Sequence, residues 1–115
     1  MSDPAVIVVA DLHGLTGRVD ELSGLLRDLA AGARTERECV EYRVLTDHDE
    51  PGDFVLISSW ESEAGLRAHY TTVHYRVYRS EVAPLLARPS DVVVHRVSST
   101  VHALDPNPPD PGLFG

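Results

Sequence analysis

Side chains that could bind and deprotonate an aromatic ring are concentrated between Phe54 and Tyr78. This segment contains the only tryptophan, Trp60, and two histidines, His69 and His74, together with three of the four tyrosines. An imidazole titrates near neutral pH and can accept a proton, and aromatic side chains hold a planar ring by offset stacking. The segment therefore indicates binding of a planar organic molecule combined with proton transfer.

The two histidines are not spaced like metal ligands on one helix. They lie five positions apart, whereas two ligands on one helical face usually lie about three or four apart. The chain also has no H-E-x-x-H motif, no G-x-S-x-G motif and no glycine loop that would hold a phosphate. We therefore expect no metal at this site, and neither hydrolase nor nucleotide-binding activity.

Size and charge narrow the class of protein. The chain has 115 residues, enough for one small domain, and its formal net charge is −8, from 18 acidic and 10 basic residues. Nucleic acids and anionic membranes need a basic face, so neither is expected as a partner. No apolar run approaches the roughly 18 residues of a membrane helix, and the N-terminus lacks the basic region of a signal peptide. With Cys39 as the only cysteine, we expect a soluble, cytoplasmic protein without an internal disulfide.

Hydrophobic periodicity predicts four strands and two helical regions. In the second strand, Val40, Tyr42 and Val44 should share one face, and the second and third strands should form a hairpin. The first helix is expected to begin at Thr16, as N-cap, and to continue to Ala33. The predicted strands are Ala5–Leu12, Cys39–Thr46, Phe54–Trp60 and Asp91–Ala103.

The second helical region is expected to be broken. Ser62 is typical of the N-cap of a short helix, and Thr71–Thr72 should interrupt the region. A longer helix then continues to about Ala87, with Pro84 causing a kink or an early end. The side chains expected to face inward are Val73, Val77, Val82 and Leu85 or Leu86.

The element order β-α-β-β-α-β is typical of the ferredoxin-like α+β fold. Its antiparallel sheet has helices on one face only, so the apolar side chains of the other face would leave a large patch on a monomer. Packing two such sheets face to face in a two-fold dimer would cover both patches. We expect residues 1–103 to form this domain, and the Pro-rich residues 104–115 to form a tail that is extended or disordered unless it docks. The outer-face residues are Val55, Ile57, Val93 and Val97.

Three segments together resemble the antibiotic biosynthesis monooxygenase domain, in the dimeric α+β barrel group that includes small quinol monooxygenases. They are the strand FVLISSWES, the following A-x-L-x-x-H that ends at His69, and the T-x-H-Y that contains His74. The segment TERECVEY also resembles the family's second-strand entry, with Arg37–Glu38 where the family usually has Pro-Gly. The resemblance covers roughly Ala5 to Val97. It implies a dimeric α+β barrel that oxidises polycyclic phenols, anthrones or hydroquinones with molecular oxygen and uses no metal, flavin or haem.

The resemblance also implies roles for individual residues. Trp60 matches a tryptophan that lines the cavity between sheet and helices, and His69 or His74 would accept the substrate's proton or stabilise its anion. Asp11 corresponds loosely to a first-strand asparagine of some members. Leu56 stands where polyketide-tailoring members have an asparagine. The expected substrate-binding residues are Asp11, Phe54, Leu56, Ser58, Leu66, Tyr75 and Tyr78.

Three functions remain open at this point. The first is a cofactor-independent monooxygenase of secondary metabolism, acting on a small aromatic substrate. The second is an isomerase or cyclase that uses the same proton-transfer residues without oxygen. The third is a non-catalytic, dimeric ligand-binding protein. This possibility stays open because Leu56 replaces the asparagine of the polyketide-tailoring members. Haem degradation is not expected, because the positions that align with the tryptophan and histidine of haem-degrading relatives carry His69 and Arg79.

Overall fold

Four antiparallel strands form one sheet, and all the helices pack on one of its faces. This computed structural model describes residues 3–103, so the predicted Pro-rich tail lies outside the described residues. The strands are β1 (Val6–His13), β2 (Cys39–Thr46), β3 (Asp53–Trp60) and β4 (Asp91–Arg96), in the order β2-β3-β1-β4. The helices are α1 (Val19–Ala33), α2 (Glu63–His69) and α3 (Val73–Glu81), with a 3-10 turn at Ala83–Leu85. The predicted ferredoxin-like α+β fold is confirmed.

The core lies between the sheet and α1. Alternate residues of β1 are buried against the helices, from Val6 to Leu12, while Ile7, Val9 and Asp11 point to the other face. The leucines of α1 recur at helical spacing and fill the space above the sheet. Its buried residues are Leu22, Leu25, Leu26, Leu29, Ala30 and Ala33.

Two hydroxyl caps divide the second helical region, as predicted. The Ser62 hydroxyl accepts a hydrogen bond from the backbone N–H of Gly65 at 3.1 Å and begins α2. The Thr72 hydroxyl accepts from the N–H of Tyr75 at 3.3 Å and begins α3. Each cap satisfies a backbone donor that the helix itself leaves free. The interruption between α2 and α3 places His69 at the end of α2 and His74 in the first turn of α3.

Several predicted boundaries were wrong. Helix α1 begins at Val19 and has Arg18 at its N-cap, without the Thr16 cap. Helix α3 ends at Glu81 and does not continue to about Ala87, which confirms the early end predicted at Pro84; this proline lies in the 3-10 turn that follows. Strand β4 ends at Arg96 and does not reach Ala103, since its partner β1 begins at Val6, which pairs with Arg96.

Two predicted faces were wrong in part, although Val82, Leu85 and Tyr42 are buried as expected. In α3, Val73 and Val77 are 73% and 45% exposed, while Tyr78 is buried. Tyr75 and Tyr78 form the face of α3 that packs on the core, because burial of these rings removes more apolar area from water than burial of the valines would. In β2, an irregularity between Cys39 and Glu41 shifts the register and leaves Val40 64% exposed.

The outer face of the sheet is apolar and has no helix over it among residues 3–103. Ile7 is 36% and Val93 is 43% exposed, while Val55, Ile57 and Val97 are half-buried. Within the same residues, no helix is both long and apolar enough to cross a membrane.

Candidate active site

A small cavity lies between the inner face of the sheet and helices α2 and α3. Its volume is about 60 Å³, room for roughly two water molecules and well below the approximately 300 Å³ at which small-molecule sites begin. All four strands contribute to it, and its helical side is mostly aromatic. The lining residues are Val8, Ala10, Tyr42, Leu56, Ser58, Leu66, His69, Tyr70, Tyr75, Tyr78 and Val92.

His69 is the titratable base of this cavity. It is only 2% exposed, and its ring centroid lies 4.6 Å from that of Trp60 and 5.2 Å from that of Tyr75. Its Nδ1 lies 2.6 Å from Oε2 of Glu36. A carboxylate at Nδ1 favours the tautomer with the proton on that nitrogen. This leaves the lone pair of Nε2, which has no hydrogen-bond partner within residues 3–103, available to a molecule in the cavity.

Burial lowers the pKa of His69 below its ordinary value. Removal from water disfavours the charged imidazolium, and the neighbouring His74 adds to this effect, while the Glu36 carboxylate acts in the opposite direction without reversing it. The neutral form of His69 is therefore the predominant one near pH 7. A neutral imidazole with a free lone pair is suited to accept a proton.

Glu36 connects the two histidines. It lies in the turn between α1 and β2, and its Oε2 is also 2.6 Å from Nε2 of His74. His74 does not line the cavity; it packs against α1, where a Cβ on Gly32 would lie only 2.5 Å from the His74 Cγ. The glycine at position 32 therefore permits the close approach that brings His74 to Glu36.

Glu36, His69 and His74 also have the composition of a metal site. Their ligand atoms lie within 4.8 Å of one another, and the five-residue spacing does not exclude a metal here, because the two histidines are on different helices. The geometry is nevertheless that of hydrogen bonds, since both nitrogens lie 2.6 Å from one oxygen. Metal-binding histidines usually donate their other N–H to a carboxylate or carbonyl, and neither His69 nor His74 does so to a described residue. The arrangement favours shared protons.

Trp60 lies behind His69 and does not line the cavity. It is 1% exposed, its Nε1–H donates to the Ser58 hydroxyl at 3.0 Å, and Tyr42 packs edge-on against it at 6.5 Å between centroids. In this position Trp60 supports the His69 ring from behind, while the rings in the cavity wall are tyrosines. Its stacking on a substrate stays a prediction.

The structure brings five of the seven expected substrate-binding residues to the cavity. Phe54 and Asp11 are elsewhere. Phe54 is buried beside α1, further along β3. Asp11 lies on the outer face, between Val55 and Asp91 of the neighbouring strands. The five that line the cavity are Leu56, Ser58, Leu66, Tyr75 and Tyr78.

Sequence reasoning missed Glu36 as part of the site. It lies 33 residues before His69, in an acidic segment where nothing distinguishes it from Glu38 or Glu41. The cavity tyrosine Tyr42 was placed on the inner face of β2 but not assigned to the site. No local sequence pattern identifies Glu36 or Tyr42 as site residues. They reach the site because pairing of β2 with β3 brings this segment next to α2.

Tyr70, Tyr75 and Val92 lie at the boundary between the cavity and the protein surface. The same three residues line an open surface groove that continues along α3 past Arg76 and Arg79. Burial and the neighbouring Tyr75 raise the pKa of Tyr70, so that it stays protonated. Movement of these side chains would join groove and cavity and enlarge the space in front of His69.

Comparison with known proteins identifies the family. The sequence model described as "Antibiotic biosynthesis monooxygenase" matches residues 5–81, about two thirds of the chain. This protein belongs to the antibiotic biosynthesis monooxygenase family. The matched range contains Glu36, His69 and His74, so the hydrogen-bonded cluster lies within the family domain.

Individual relatives agree with this assignment. The protein "Putative monooxygenase Rv0793" of Mycobacterium tuberculosis is 30% identical over 82% of this chain and 91% of its own length. Its solved structure superposes with a TM-score of 0.80 at 28% identity, over 85% of this chain and 99% of that one. "Putative monooxygenase YcnE" of Bacillus subtilis is 27% identical over 64% of this chain and 78% of its own. A structure from Nitrosomonas europaea, with a TM-score of 0.78 and 20% identity over 85% of this chain and 94% of that one, shares the fold.

Proposed function

We propose that this protein is a cofactor-independent monooxygenase that oxidises a polycyclic phenol, anthrone or quinol with molecular oxygen. The observation that carries the proposal is His69, a buried cavity residue whose Nδ1 is held by Glu36 at 2.6 Å, leaving Nε2 for the substrate. Membership of a family of monooxygenases supports the reaction type. A role in secondary metabolism, with no metal, flavin or haem, is part of this proposal.

The reaction begins with proton transfer. Nε2 of His69 takes a proton from the substrate, and the resulting anion is rich enough in electrons to pass one to oxygen. The two radicals combine to form a carbon–oxygen bond. For an anthrone, the peroxide then loses water to leave a carbonyl group, so that one oxygen atom enters the product and the other leaves as water. The tyrosine rings would hold the planar substrate, and the apolar wall would exclude water.

The substrate requires more room than this cavity provides. A polycyclic ring does not fit within about 60 Å³, so binding must displace side chains. We propose that Tyr70, Tyr75 and Val92 move apart, because they alone are shared by the cavity and the open groove. The Arg76 and Arg79 side chains would then lie at the entrance.

Oxygen uptake tests this function. Metal-free protein would be given a panel of anthrones and hydroquinones, and we expect uptake that His69→Gln reduces by about 10²- to 10⁴-fold, the usual contribution of a general base. His48→Ala is the matched control, since His48 is exposed in the loop between β2 and β3, away from the cavity and from the outer face of the sheet. Absence of uptake across the panel, or full activity in His69→Gln, would contradict the proposal.

The same assay separates the alternatives. An isomerase or cyclase would form product without oxygen, so product under anaerobic conditions would favour that function. A non-catalytic protein would bind aromatic molecules equally well after replacement of both His69 and His74 by alanine and would show no turnover.

We also propose that the protein works as a cytoplasmic homodimer formed through the outer face of the sheet. The partly exposed side chains of Ile7 and Val93 support this arrangement, because apolar patches of this kind mark interfaces. Sedimentation of the purified chain should give twice the monomer mass. Replacement of Val93 by aspartate should then shift the protein to monomer, whereas a monomeric wild-type chain would contradict the dimer.

A further inference from the structure

We infer that Glu36 and His74 form a proton path between His69 and solvent, so that His74 exchanges the substrate's proton with water. This inference rests on the proposed role of His69 as base. It assigns His74 a function outside the cavity, and it adds Glu36, which lies far from both histidines in the sequence.

The path is continuous in the structure. One oxygen of Glu36, Oε2, lies 2.6 Å from Nδ1 of His69 and 2.6 Å from Nε2 of His74. Short hydrogen bonds to a charged acceptor are strong and permit a proton to pass between the two partners. Exposure of the side chains increases along the path, from 3% for His69 through 13% for Glu36 to 25% for His74. The path therefore leads from the buried base to the surface.

The surroundings of His69 offer no equivalent route. Its ring faces Glu36 from the turn after α1, Tyr42 from β2, Tyr70 at the end of α2, and His74 and Tyr75 from α3. Burial raises the pKa of Tyr42 and Tyr70, so these phenols stay protonated and do not take up a proton. Within residues 3–103, the only group hydrogen-bonded to the His69 ring is Glu36.

A buried base also needs to lose its proton. The cavity holds roughly two water molecules when empty, and a bound aromatic ring would displace them. A proton taken up at Nε2 would otherwise stay on His69, in an environment that disfavours the charged form. Release through Nδ1 to the carboxylate solves this problem without water in the cavity.

The transfer balances as three proton movements without electron transfer. The substrate's proton forms a new N–H bond at Nε2 of His69 while the Nδ1–H bond breaks and that proton passes to Oε2 of Glu36. His74 takes part as the tautomer with its proton on Nδ1, which it reaches by exchange with water and which leaves the Nε2 lone pair free. The proton on Oε2 then passes to Nε2 of His74, and His74 releases its Nδ1 proton to water. The same movements in reverse return a proton to the peroxide anion and restore the original tautomers.

Buffer rescue tests the path. In weak buffer, His74→Ala should lower kcat by about 10-fold or more, within the range of general acid–base effects, with little change in KM. Added imidazole should restore kcat, because a small base can carry the proton that His74 no longer carries. His69→Gln should not be rescued, and imidazole should have no effect on His48→Ala, whose side chain is exposed in the loop between β2 and β3. Unchanged kcat in His74→Ala, or a loss that imidazole does not repair, would overturn the inference.

A second variant tests the path if His74→Ala does not fold. A second readout tests it if the protein oxygenates no substrate. Glu36→Gln keeps the size of the side chain but is a poor proton acceptor, so it should lower kcat while thermal unfolding stays cooperative. In the substrate-free protein, ¹⁵N NMR should show His69 with its proton on Nδ1 in the wild type and altered ring shifts for both histidines in Glu36→Gln. This outcome with no oxygenation of any substrate would count against the proposed function and leave the hydrogen-bonded path in place. Independent histidine shifts, or one equivalent of Zn²⁺ bound by the wild type and lost in Glu36→Gln, would overturn the path.

Discussion

The two faces of the sheet have the same alternating pattern but opposite properties. On the inner face, Trp60 is 1% exposed and lies against His69 and Tyr42. On the outer face, Ile7 and Val93 are 36% and 43% exposed, and the polar side chains of Asp11 and His95 are separated by aliphatic ones. The aromatic side chains and the hydrogen-bonded imidazoles are gathered where helices cover the sheet. The outer face provides mainly aliphatic area.

Truncation of one apolar side chain on each face should give the largest difference in the free energy of unfolding. Trp60→Ala should lower the free energy of unfolding by about 3–5 kcal/mol, because it leaves a cavity in the core and removes the edge-on contact with Tyr42. Val93→Ala should cost less than about 0.5 kcal/mol in dilute protein, as is usual for a partly exposed side chain. Urea unfolding of both variants measures the two values. A cost for Val93→Ala that increases with protein concentration would place that residue in the proposed dimer interface, and equal costs for both variants in dilute protein would contradict the contrast between the faces.

Two glycines of α1 provide a smaller and more local contrast. A Cβ on Gly32 would lie 2.5 Å from the His74 ring, whereas a Cβ on Gly24 would meet nothing within 4 Å. Gly32→Ala should therefore destabilise the protein by roughly 1–3 kcal/mol through overpacking and move His74 away from Glu36. Gly24→Ala should stabilise it by up to about 1 kcal/mol, since alanine is the better helix former. Thermal unfolding checks both values, and a stabilised Gly32→Ala variant would show that the two helices can separate at no cost.

The fold could be predicted from the sequence because its signals are local. Alternation in β3, the Ser62 and Thr72 caps and the apolar spacing in α1 each identify an element without knowledge of the rest of the chain. The site could be predicted only in part. The segment around His69 was found because its rings and imidazoles are close in sequence. Glu36 was not found, because only strand pairing brings it there.

The errors in the site have the same physical origin. Asp11 was expected at the substrate, but residues of a strand alternate between faces and Asp11 shares its face with Ile7 and Val9. Val73 and Val77 of the neighbouring helix were expected inside, but the side of α3 that carries Tyr75 and Tyr78 faces the core. In each case the residue type was informative, and the direction of the side chain depended on the neighbouring elements.

The smallest expected effect is the contribution of His69, over the inner face of the sheet, to the pH dependence of the free energy of unfolding. The folded-state pKa of His69 lies below its ordinary value of 6.5, so between these two values the unfolded chain binds more protons than the folded one. The contribution of His69 is therefore fully present above about pH 6.5 and is lost as pH falls through the folded-state pKa. His69→Gln should flatten the decrease of stability in this range. Urea midpoints between pH 5 and 8 would measure the slopes, and an equal slope in wild type and His69→Gln would mean that burial does not hold this imidazole neutral. The same neutral imidazole is the proposed base. The value of kcat/KM should therefore decrease over the same acid range in which the wild type loses stability.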